Sequence, residues 1–171
     1  MTELIPLISS QEIQKRVKET GERISSHYAG KELVLVGILK GAFVFLADLT
    51  RNIAIDHEID IIVASSYSGT SSTGTISFTK APDLDLCNKD ILLVEDIVDT
   101  GRTLAATVTY FKTLQPASVK ICSLIDKQER RTVDIDVTYS CFSLEKGFIV
   151  GYGLDYNEKY RNLPAIYDLK L

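Results

Sequence analysis

The sequence lacks the features that mark several special classes of protein. It has only three cysteines, an odd number with no Cys-x-x-Cys pair, and only four prolines among 171 residues. This composition excludes collagen-like, low-complexity and disordered chains, and it predicts buried free thiols at Cys87, Cys122 and Cys141. With 45% hydrophobic and 25% charged residues, the chain fits a single globular domain over residues 1–171.

Long apolar runs and an excess of positive charge are also missing. The longest apolar run, Leu33–Leu39, is too short to span a bilayer, and the first residues show no signal-peptide pattern. The formal net charge of −4 disfavours broad binding to nucleic acids or to acidic membranes. We therefore expect a cytoplasmic protein with neither a nucleic acid nor a membrane as its partner.

Two common phosphate-binding motifs are absent. The chain has no Gly-x-x-x-x-Gly-Lys-[Ser/Thr] sequence, and no Gly-x-Gly-x-x-Gly follows its first predicted strand. This excludes nucleotide hydrolysis on a Walker loop and the usual dinucleotide-binding turn.

Strand and helix patterns alternate along the chain. Ser9 and Glu12 have the spacing of a capping box before a helix that ends near Gly30, and Leu33–Leu39 is apolar on both faces, as in a covered parallel strand. The remaining pattern predicts helices from Gly41 and over Thr103–Leu114, strands at Ile59–Ala64, Ile91–Val94, Ser118–Leu124 and Phe148–Tyr152, and a hairpin arm at Thr75–Thr79. The segment Asn157–Leu171 has no readable pattern. The alternation predicts an α/β domain with a mostly parallel sheet.

Acidic residues gather at the end of one buried strand. Ile91–Val94 is followed by Glu95, Asp96 and Asp99, and then by a Thr/Gly turn that opens a helix. Ligands bind at such strand ends in open α/β sheets, and a helix N-terminus suits a phosphate. Asp99 could instead simply cap the helix. Two neighbouring carboxylates repel each other, however, unless a cation or a hydroxyl-rich ligand lies beside them, which favours a sugar diol or hydrated magnesium.

The run Glu95–Thr103 resembles the phosphoribosyl pyrophosphate loop of type I phosphoribosyltransferases, in the form typical of the 6-oxopurine branch. Further similarity lies in Leu39-Lys40-Gly41, in Ser66-Tyr67, in Lys127, and in Phe148–Glu158 followed by Arg161. The resemblance covers Leu33–Arg161. It implies a mostly parallel twisted sheet flanked by helices, with a small hood formed by the first helix and the last residues, and a cis Leu39–Lys40 peptide bond.

The resemblance implies transfer of phosphoribosyl from phosphoribosyl pyrophosphate to hypoxanthine or guanine, with Asp99 as the catalytic acid/base. The phosphoribosyl group would be bound by Glu95, Asp96, Asp99, Thr100, Gly101, Arg102 and Thr103, and the purine by Lys127, Phe148, Ile149 and Asp155. Pyrophosphate would be bound by Lys40, Gly41 and Arg161, and Mg²⁺ by Glu95, Asp96 and Asp155. Ser66 and Tyr67 would belong to a flexible loop over the site. Without the resemblance, the residues favour solvated lysines at Lys40 and Lys127 and a core residue at Phe148.

Two other functions are compatible with these motifs. One is a regulatory protein of the same fold that senses phosphoribosyl pyrophosphate and binds nucleic acid, which the acidic composition and the presence of Asp99 disfavour. The other is a transferase that prefers xanthine. Arg102 and the charged run Gln128–Thr132 depart from the family pattern, which leaves open how tightly base and phosphate are held. The family also implies a homodimer or homotetramer.

Overall fold

The computed structural model describes residues 3–66 and 76–170. Its elements, in chain order, are β1 (Glu3–Ile8), α1 (Ser10–His27), β2 (Leu33–Leu39), α2 (Phe43–Arg51), β3 (His57–Ser66), β4 (Ile76–Lys80), β5 (Asp90–Val98), α3 (Arg102–Lys112), β6 (Ser118–Lys127), β7 (Tyr139–Leu144), β8 (Ile149–Val150) and β9 (Ile166–Lys170). No helix in these two described ranges is long and apolar enough to cross a membrane.

A six-stranded sheet forms the centre of the fold. Its strand order is β4-β3-β2-β5-β6-β7, and every neighbouring pair is parallel except β3 with β4. Helices α1 and α2 pack on one face, and α3 packs on the other through Phe111. The predicted α/β class with a mostly parallel, helix-flanked sheet is confirmed, as is the hairpin arm that β4 forms.

The central strands and the first helix form where their sequence patterns predict. Leu33–Ile38 is buried throughout, because β2 lies between β3 and β5 and is covered on both faces. At the start of α1, the Ser9 hydroxyl accepts a hydrogen bond from the Glu12 amide at 3.3 Å, and the Glu12 carboxylate accepts one from the Ser9 amide at 2.9 Å. This reciprocal capping box satisfies two amides that the helix itself leaves unpaired.

A second, three-stranded sheet joins distant parts of the chain. Its order is β1-β9-β8, and both of its strand pairs are antiparallel. Helix α1 packs against α2 and β7 of the large sheet, whereas strands from the two ends of the chain, β1 and β9, form the small sheet with β8. The apolar stripe of α1, including Ile13 and Val17, belongs to the main core.

Several details differ from the sequence predictions. Strand β5 continues to Val98, so Glu95 and Asp96 lie within the strand. The predicted strand Phe148–Tyr152 shrinks to the two residues of β8, because the chain turns into the left-handed region at residues 151–153. Strands β1, β7 and β9 were not predicted. Cys122 and Cys141 are buried free thiols as predicted, but the prediction for Cys87 is wrong because its side chain is exposed.

Candidate active site

A cavity of about 300 Å³ opens at the carboxyl ends of β2 and β5. Three segments supply nearly all of its lining, namely residues 38–41, residues 95–101 and the first turn of α3. In an open parallel sheet this is the edge at which ligands bind. The predicted site residues that line the cavity are Lys40, Gly41, Glu95, Asp96, Asp99, Thr100, Gly101 and Thr103.

The loop after β2 fits between two parts of the site because it contains glycine. The Leu39–Lys40 peptide bond is cis, as the family resemblance implies. A Cβ atom on Gly41 would lie 1.8 Å from the Asp96 carboxylate. A Cβ atom on Gly153, whose φ is +99°, would lie 2.3 Å from the Gly41 carbonyl oxygen. A larger residue at position 41 would therefore clash with the Asp96 carboxylate, and one at position 153 would clash with the backbone of the Lys40 loop.

Glu95 and Asp96 form a close acidic pair at the end of β5. The Asp96 amide donates to Glu95 Oε1 at 3.0 Å, and the Ile97 amide donates to Asp96 Oδ1 at 2.8 Å. Burial, followed by the neighbouring charge of Asp96, raises the pKa of Glu95 well above its usual value. Burial also raises the pKa of Asp96, although hydrogen bonds with Glu95 and with backbone amides, and to a lesser extent the Arg161 charge, oppose this. A cation or a hydroxyl-rich ligand beside the pair would favour its ionised form.

Asp99 presents one carboxylate oxygen that is buried and unpartnered. Its Oδ2 lies 3.4 Å from Arg130 Nη1, whereas its Oδ1 has no hydrogen-bond partner among the described residues. An unsatisfied buried acceptor is costly in a folded protein and often indicates a missing ligand. Asp99 also lines the cavity, so its carboxylate lies beside any molecule that binds there.

The turn between β5 and α3 supplies backbone donors. Gly101 forms the N-cap of α3 with φ of +80° and has no side chain to cap the helix, and the Thr100 hydroxyl accepts only a long bond, of 3.4 Å, from the Arg102 amide. Ala105 donates to the Gly101 carbonyl, which leaves the amides of Thr103 and Leu104 without an acceptor inside the helix. Such a helix start attracts phosphate. The side chain of Arg102 is directed elsewhere, because its Nε donates to the Thr132 hydroxyl at 3.0 Å.

The predicted purine-binding residues do not line the cavity. Lys127 is buried at the end of β6, where its Nζ lies 3.3 Å from Glu129 Oε2. Its backbone pairs with that of Leu144 in β7. Phe148 is 47% exposed and meets Tyr156 edge to face, with ring centroids 5.5 Å apart. Ile149 is buried in β8 and pairs with Asp168 of β9. An exposed aromatic ring of this kind has a free face on which a planar base can stack.

Asp155 and Arg161 are joined to Lys40 by a chain of ion pairs. Arg161 Nη2 lies 2.8 Å from Asp155 Oδ1 and 3.3 Å from Glu158 Oε2, and its Nη1 donates to the Gly153 carbonyl. The same Glu158 oxygen lies 3.1 Å from Lys40 Nζ. Hydrogen bonds from Lys40 and Arg161, together with the positive charges of these residues, lower the pKa of Glu158. Asp155 is thus held by Arg161 and forms no group with Glu95 and Asp96.

Arg131 is a residue of the site that the sequence predictions missed. Its guanidinium donates to the carbonyls of Asp99 at 3.0 Å, Val98 at 3.1 Å and Lys127 at 3.2 Å, and it also pairs with Asp126. It therefore ties the Asp99 loop to the end of β6. The only signal in the sequence was the charged run Gln128–Thr132, which departs from the family pattern. Glu158 was likewise seen only as the end of a motif.

The predicted flexible-loop residues lie at the edge of the described structure. Ser66 ends β3, and its backbone pairs with Ile76 of β4. Tyr67 lies outside the described residues.

Comparisons with known proteins agree on one family. The sequence matches the family described as phosphoribosyl transferase domain over residues 8–157. It is 47% identical over 165 residues to hypoxanthine-guanine phosphoribosyltransferase of Streptococcus mutans, covering 96% of this chain and 92% of that protein. It is 44% identical to hypoxanthine phosphoribosyltransferase of Salmonella typhimurium, covering 94% and 92%. The crystal structure of a hypoxanthine-guanine phosphoribosyltransferase from Bacillus anthracis superposes with a TM-score of 0.93 at 42% identity, covering 100% of both chains.

Proposed function

This chain belongs to the phosphoribosyl transferase domain family, and from that premise we propose that it transfers a 5-phosphoribosyl group from phosphoribosyl pyrophosphate to N9 of hypoxanthine or guanine. The products are IMP or GMP and pyrophosphate, which is a purine salvage reaction. The names of relatives at 47% and 44% identity support this reaction. The regulatory alternative is not supported, because these relatives match over 92% of their length and are named as transferases.

One observation of this structure supports the proposed reaction independently of the family. Asp99, which has one carboxylate oxygen without a partner among the described residues, lines the same cavity as the Glu95–Asp96 pair and the start of α3. These three features suit a proton, a sugar diol and a phosphate, respectively. A bound phosphoribosyl pyrophosphate and its acceptor base require all three together.

The proposed reaction breaks the bond between the anomeric carbon and the pyrophosphate oxygen, and N9 of the base forms the new bond to that carbon. The electron pair of the broken bond leaves with pyrophosphate, whose charge Lys40 and Arg161 neutralise. Glu95 and Asp96 hold the ribose hydroxyls, and residues 100–103 seat the 5′-phosphate. Asp99 accepts the proton that the base loses, which contributes about 10²–10⁴ in rate. Lys127 donates to O6 of the purine, Phe148 stacks on its ring, and the Ile149 backbone meets its Watson–Crick edge.

The carboxylates at the strand end fit magnesium. Among the residues that the structure describes, no three His, Cys, Asp or Glu side chains form a metal-binding group. Mg²⁺, however, is commonly held by one or two carboxylates together with substrate phosphates and water. Glu95 and Asp96 form such a pair, and Asp155 would join them only by leaving Arg161. When bound, the ion supplies positive charge that offsets the charge of pyrophosphate.

A direct assay tests the proposal. The purified protein is incubated with magnesium, phosphoribosyl pyrophosphate and hypoxanthine, guanine, xanthine or adenine, and nucleotide and pyrophosphate are both measured. We expect equal amounts of the two products with hypoxanthine and guanine. Absence of nucleotide with every base would overturn the proposed function, and faster turnover of xanthine would replace it by the xanthine-preferring alternative.

Two further properties belong to the proposal. We propose a cytoplasmic location, because phosphoribosyl pyrophosphate is too highly charged to cross a membrane unaided. We also propose a homodimer or homotetramer, on the strength of the family resemblance. Light scattering of the purified protein measures its molar mass and so the number of subunits.

A further inference from the structure

A single carboxylate oxygen contacts both cations that the proposed function assigns to pyrophosphate. Glu158 Oε2 lies 3.1 Å from Lys40 Nζ and 3.3 Å from Arg161 Nη2. Lys40 has no other ion pair in the part of the chain that the structure describes. An acidic side chain therefore occupies the place where the leaving group needs these two charges.

The backbone around Glu158 is fixed, although its side chain is not. Asn157 and Glu158 both adopt left-handed conformations, with φ of 52° and 61°, which is uncommon for residues other than glycine. The Glu158 amide donates to Asp155 Oδ2 at 2.9 Å, and the backbones of Tyr156 and Lys159 bond to each other on either side of the turn. Such strained backbone persists only where the surrounding structure enforces it, and it often lies at functional sites.

The side chain itself can leave this position readily. It is 64% exposed, and the Lys40 side chain is 67% exposed. Ion pairs between exposed side chains are weak, because water screens them. Pyrophosphate carries more negative charge than one carboxylate and can displace it from both cations at once.

We propose that Glu158 is a displaceable counter-ion of the leaving-group site, which holds Lys40 and Arg161 in position until pyrophosphate replaces it. This inference rests on the proposed function, since it needs pyrophosphate at these two cations. Glu158 is then a positioning residue that competes with pyrophosphate. After the transfer step, the Glu158 carboxylate returns to Lys40 and Arg161 and speeds the release of pyrophosphate.

The test is the affinity for pyrophosphate, measured by isothermal titration calorimetry in the presence of magnesium. Glu158→Gln removes the charge from an exposed side chain and leaves the backbone bonds of the turn in place. We expect roughly two- to tenfold tighter binding of pyrophosphate by this variant, because the ion pairs of Glu158 with the exposed Lys40 and with the mostly buried Arg161 no longer compete. The matched control is Glu32→Gln, which removes the same charge from an exposed residue just before β2. Glu32 lies at the amino-terminal end of this strand, opposite the cavity, so the variant should not change the affinity for pyrophosphate.

A double-mutant cycle locates the effect. In a Lys40→Met background, Glu158→Gln should tighten pyrophosphate binding less than it does in the wild type, because one of the two ion pairs is already gone. Equal gains in both backgrounds would mean a general charge effect and would overturn the inference, as would unchanged or weaker binding by Glu158→Gln alone. If the wild type forms nucleotide and binds pyrophosphate, these outcomes leave the proposed function intact. A wild type that does neither overturns both.

Discussion

Asp99 has two carboxylate oxygens in different environments. Oδ2 lies near the exposed Arg130, whereas the buried Oδ1 has no partner among the described residues. Oδ1 therefore keeps an unused capacity to accept a proton, which the proposed reaction requires. An amide at this position keeps the shape of the side chain and its hydrogen-bonding capacity but cannot take up that proton.

Asp99→Asn should accordingly lower turnover by about 10²–10⁴ while leaving the fold and the affinity for phosphoribosyl pyrophosphate near those of the wild type. Single-turnover kinetics measure the chemical step, and calorimetry measures binding. The control is Asp56→Asn, an exposed aspartate just before β3 and away from the cavity, which should leave both unchanged. Full turnover by Asp99→Asn, when chemistry limits the rate, would remove Asp99 from the proton transfer.

Arg131 links the two halves of the site through backbone carbonyls. A lysine has one nitrogen and cannot reproduce the fork that reaches Asp99, Val98 and Lys127. We expect Arg131→Lys to lower kcat and raise KM for the base together, with kcat/KM falling roughly 10–100-fold, since bonds to a charged group are worth about 1.5–3 kcal/mol.

Steady-state kinetics with both substrates separate this role from general destabilisation. The neighbouring Arg130→Met loses one exposed contact and should have a smaller effect. If Arg131→Lys lowers the melting temperature while kcat and KM stay at wild-type values, then Arg131 only stabilises the fold.

The residues that the sequence predicted and those it missed differ in the range of their contacts. Glu95, Asp96, Asp99 and Gly101 follow one another in a single strand and turn, so a local pattern contains them. The Arg131 contact with Asp99 spans 32 residues, and the Glu158 contact with Lys40 spans 118. No periodicity or spacing encodes a contact between segments that meet only after the sheet has formed.

Among the elements, the hairpin of β3 and β4 depends on one buried carboxylate. Asp60 accepts bonds from the backbone amides of Ile61, Asp83 and Leu84 at 2.7–3.0 Å, and Lys80 lies 3.6 Å away. Burial alone would raise the pKa of Asp60, but these amides and the Lys80 charge outweigh it and lower the pKa. The segment that leads out of β4 is thus fixed to β3.

Asp60→Asn should lower the free energy of unfolding at neutral pH by about 1–3 kcal/mol, because the amide cannot satisfy several donors as a carboxylate does. Since the folded pKa is lowered, the stability that Asp60 contributes is present above its unfolded pKa of about 3.9 and is lost as pH falls through the folded pKa. Urea unfolding at several pH values measures this. The exposed Asp83→Asn should change stability little, and equal losses in the two variants would contradict the role of Asp60.

At the carboxyl end of β5, two neighbouring carboxylates lower the stability of the folded state but suit a bound ligand. Burial raises the pKa values of Glu95 and Asp96, so the stability of the folded state falls as pH rises through the range between their ordinary and raised values. The charged pair is therefore better explained by a bound ligand than by folding. Replacing both residues by neutral isosteres removes the repulsion as well as the ligand contacts.

The double variant Glu95→Gln with Asp96→Asn should therefore be at least as stable as the wild type at neutral pH. We expect its magnesium-dependent affinity for phosphoribosyl pyrophosphate to fall at least about tenfold, which corresponds to about 1.4 kcal/mol. Thermal unfolding and calorimetric titration provide the two measurements. Wild-type affinity in the double variant would show that the pair binds neither ribose nor magnesium.

The strands also differ in how readily the sequence predicts them. Strands β2 and β5 lie inside the large sheet and are apolar on both faces, which makes them visible in the sequence. Strands β1, β7 and β9 have mixed polarity, because β1 and β7 lie at sheet edges and β9 belongs to the small sheet with partly exposed faces. Their pairing is set by tertiary contacts, as with the β1–β9 pair, which joins residues 3–8 to residues 166–170.

At the scale of the whole molecule, the proposed base site needs both sheets. Lys127 ends β6 of the large sheet, whereas Ile149 lies in β8 of the small one. The ammonium of Lys127 is buried and uses only part of its donor capacity on Glu129. A purine with an oxygen at position 6 accepts from it, whereas the amino group of adenine would face it donor to donor.

We therefore expect hypoxanthine and guanine to be used well, xanthine poorly because its O2 meets backbone acceptors, and adenine not measurably. Sites that leave a buried polar group unpaired with the wrong substrate discriminate by about 10⁴–10⁵. Lys127→Met should narrow the gap between hypoxanthine and adenine, mainly by lowering kcat/KM for hypoxanthine. Lys120→Met, at the other end of the same strand, should leave selectivity unchanged because its ammonium contacts His27 instead. Similar kcat/KM values for adenine and hypoxanthine in the wild type would refute the role of Lys127, since a buried cation cannot accept a hydrogen bond from either base.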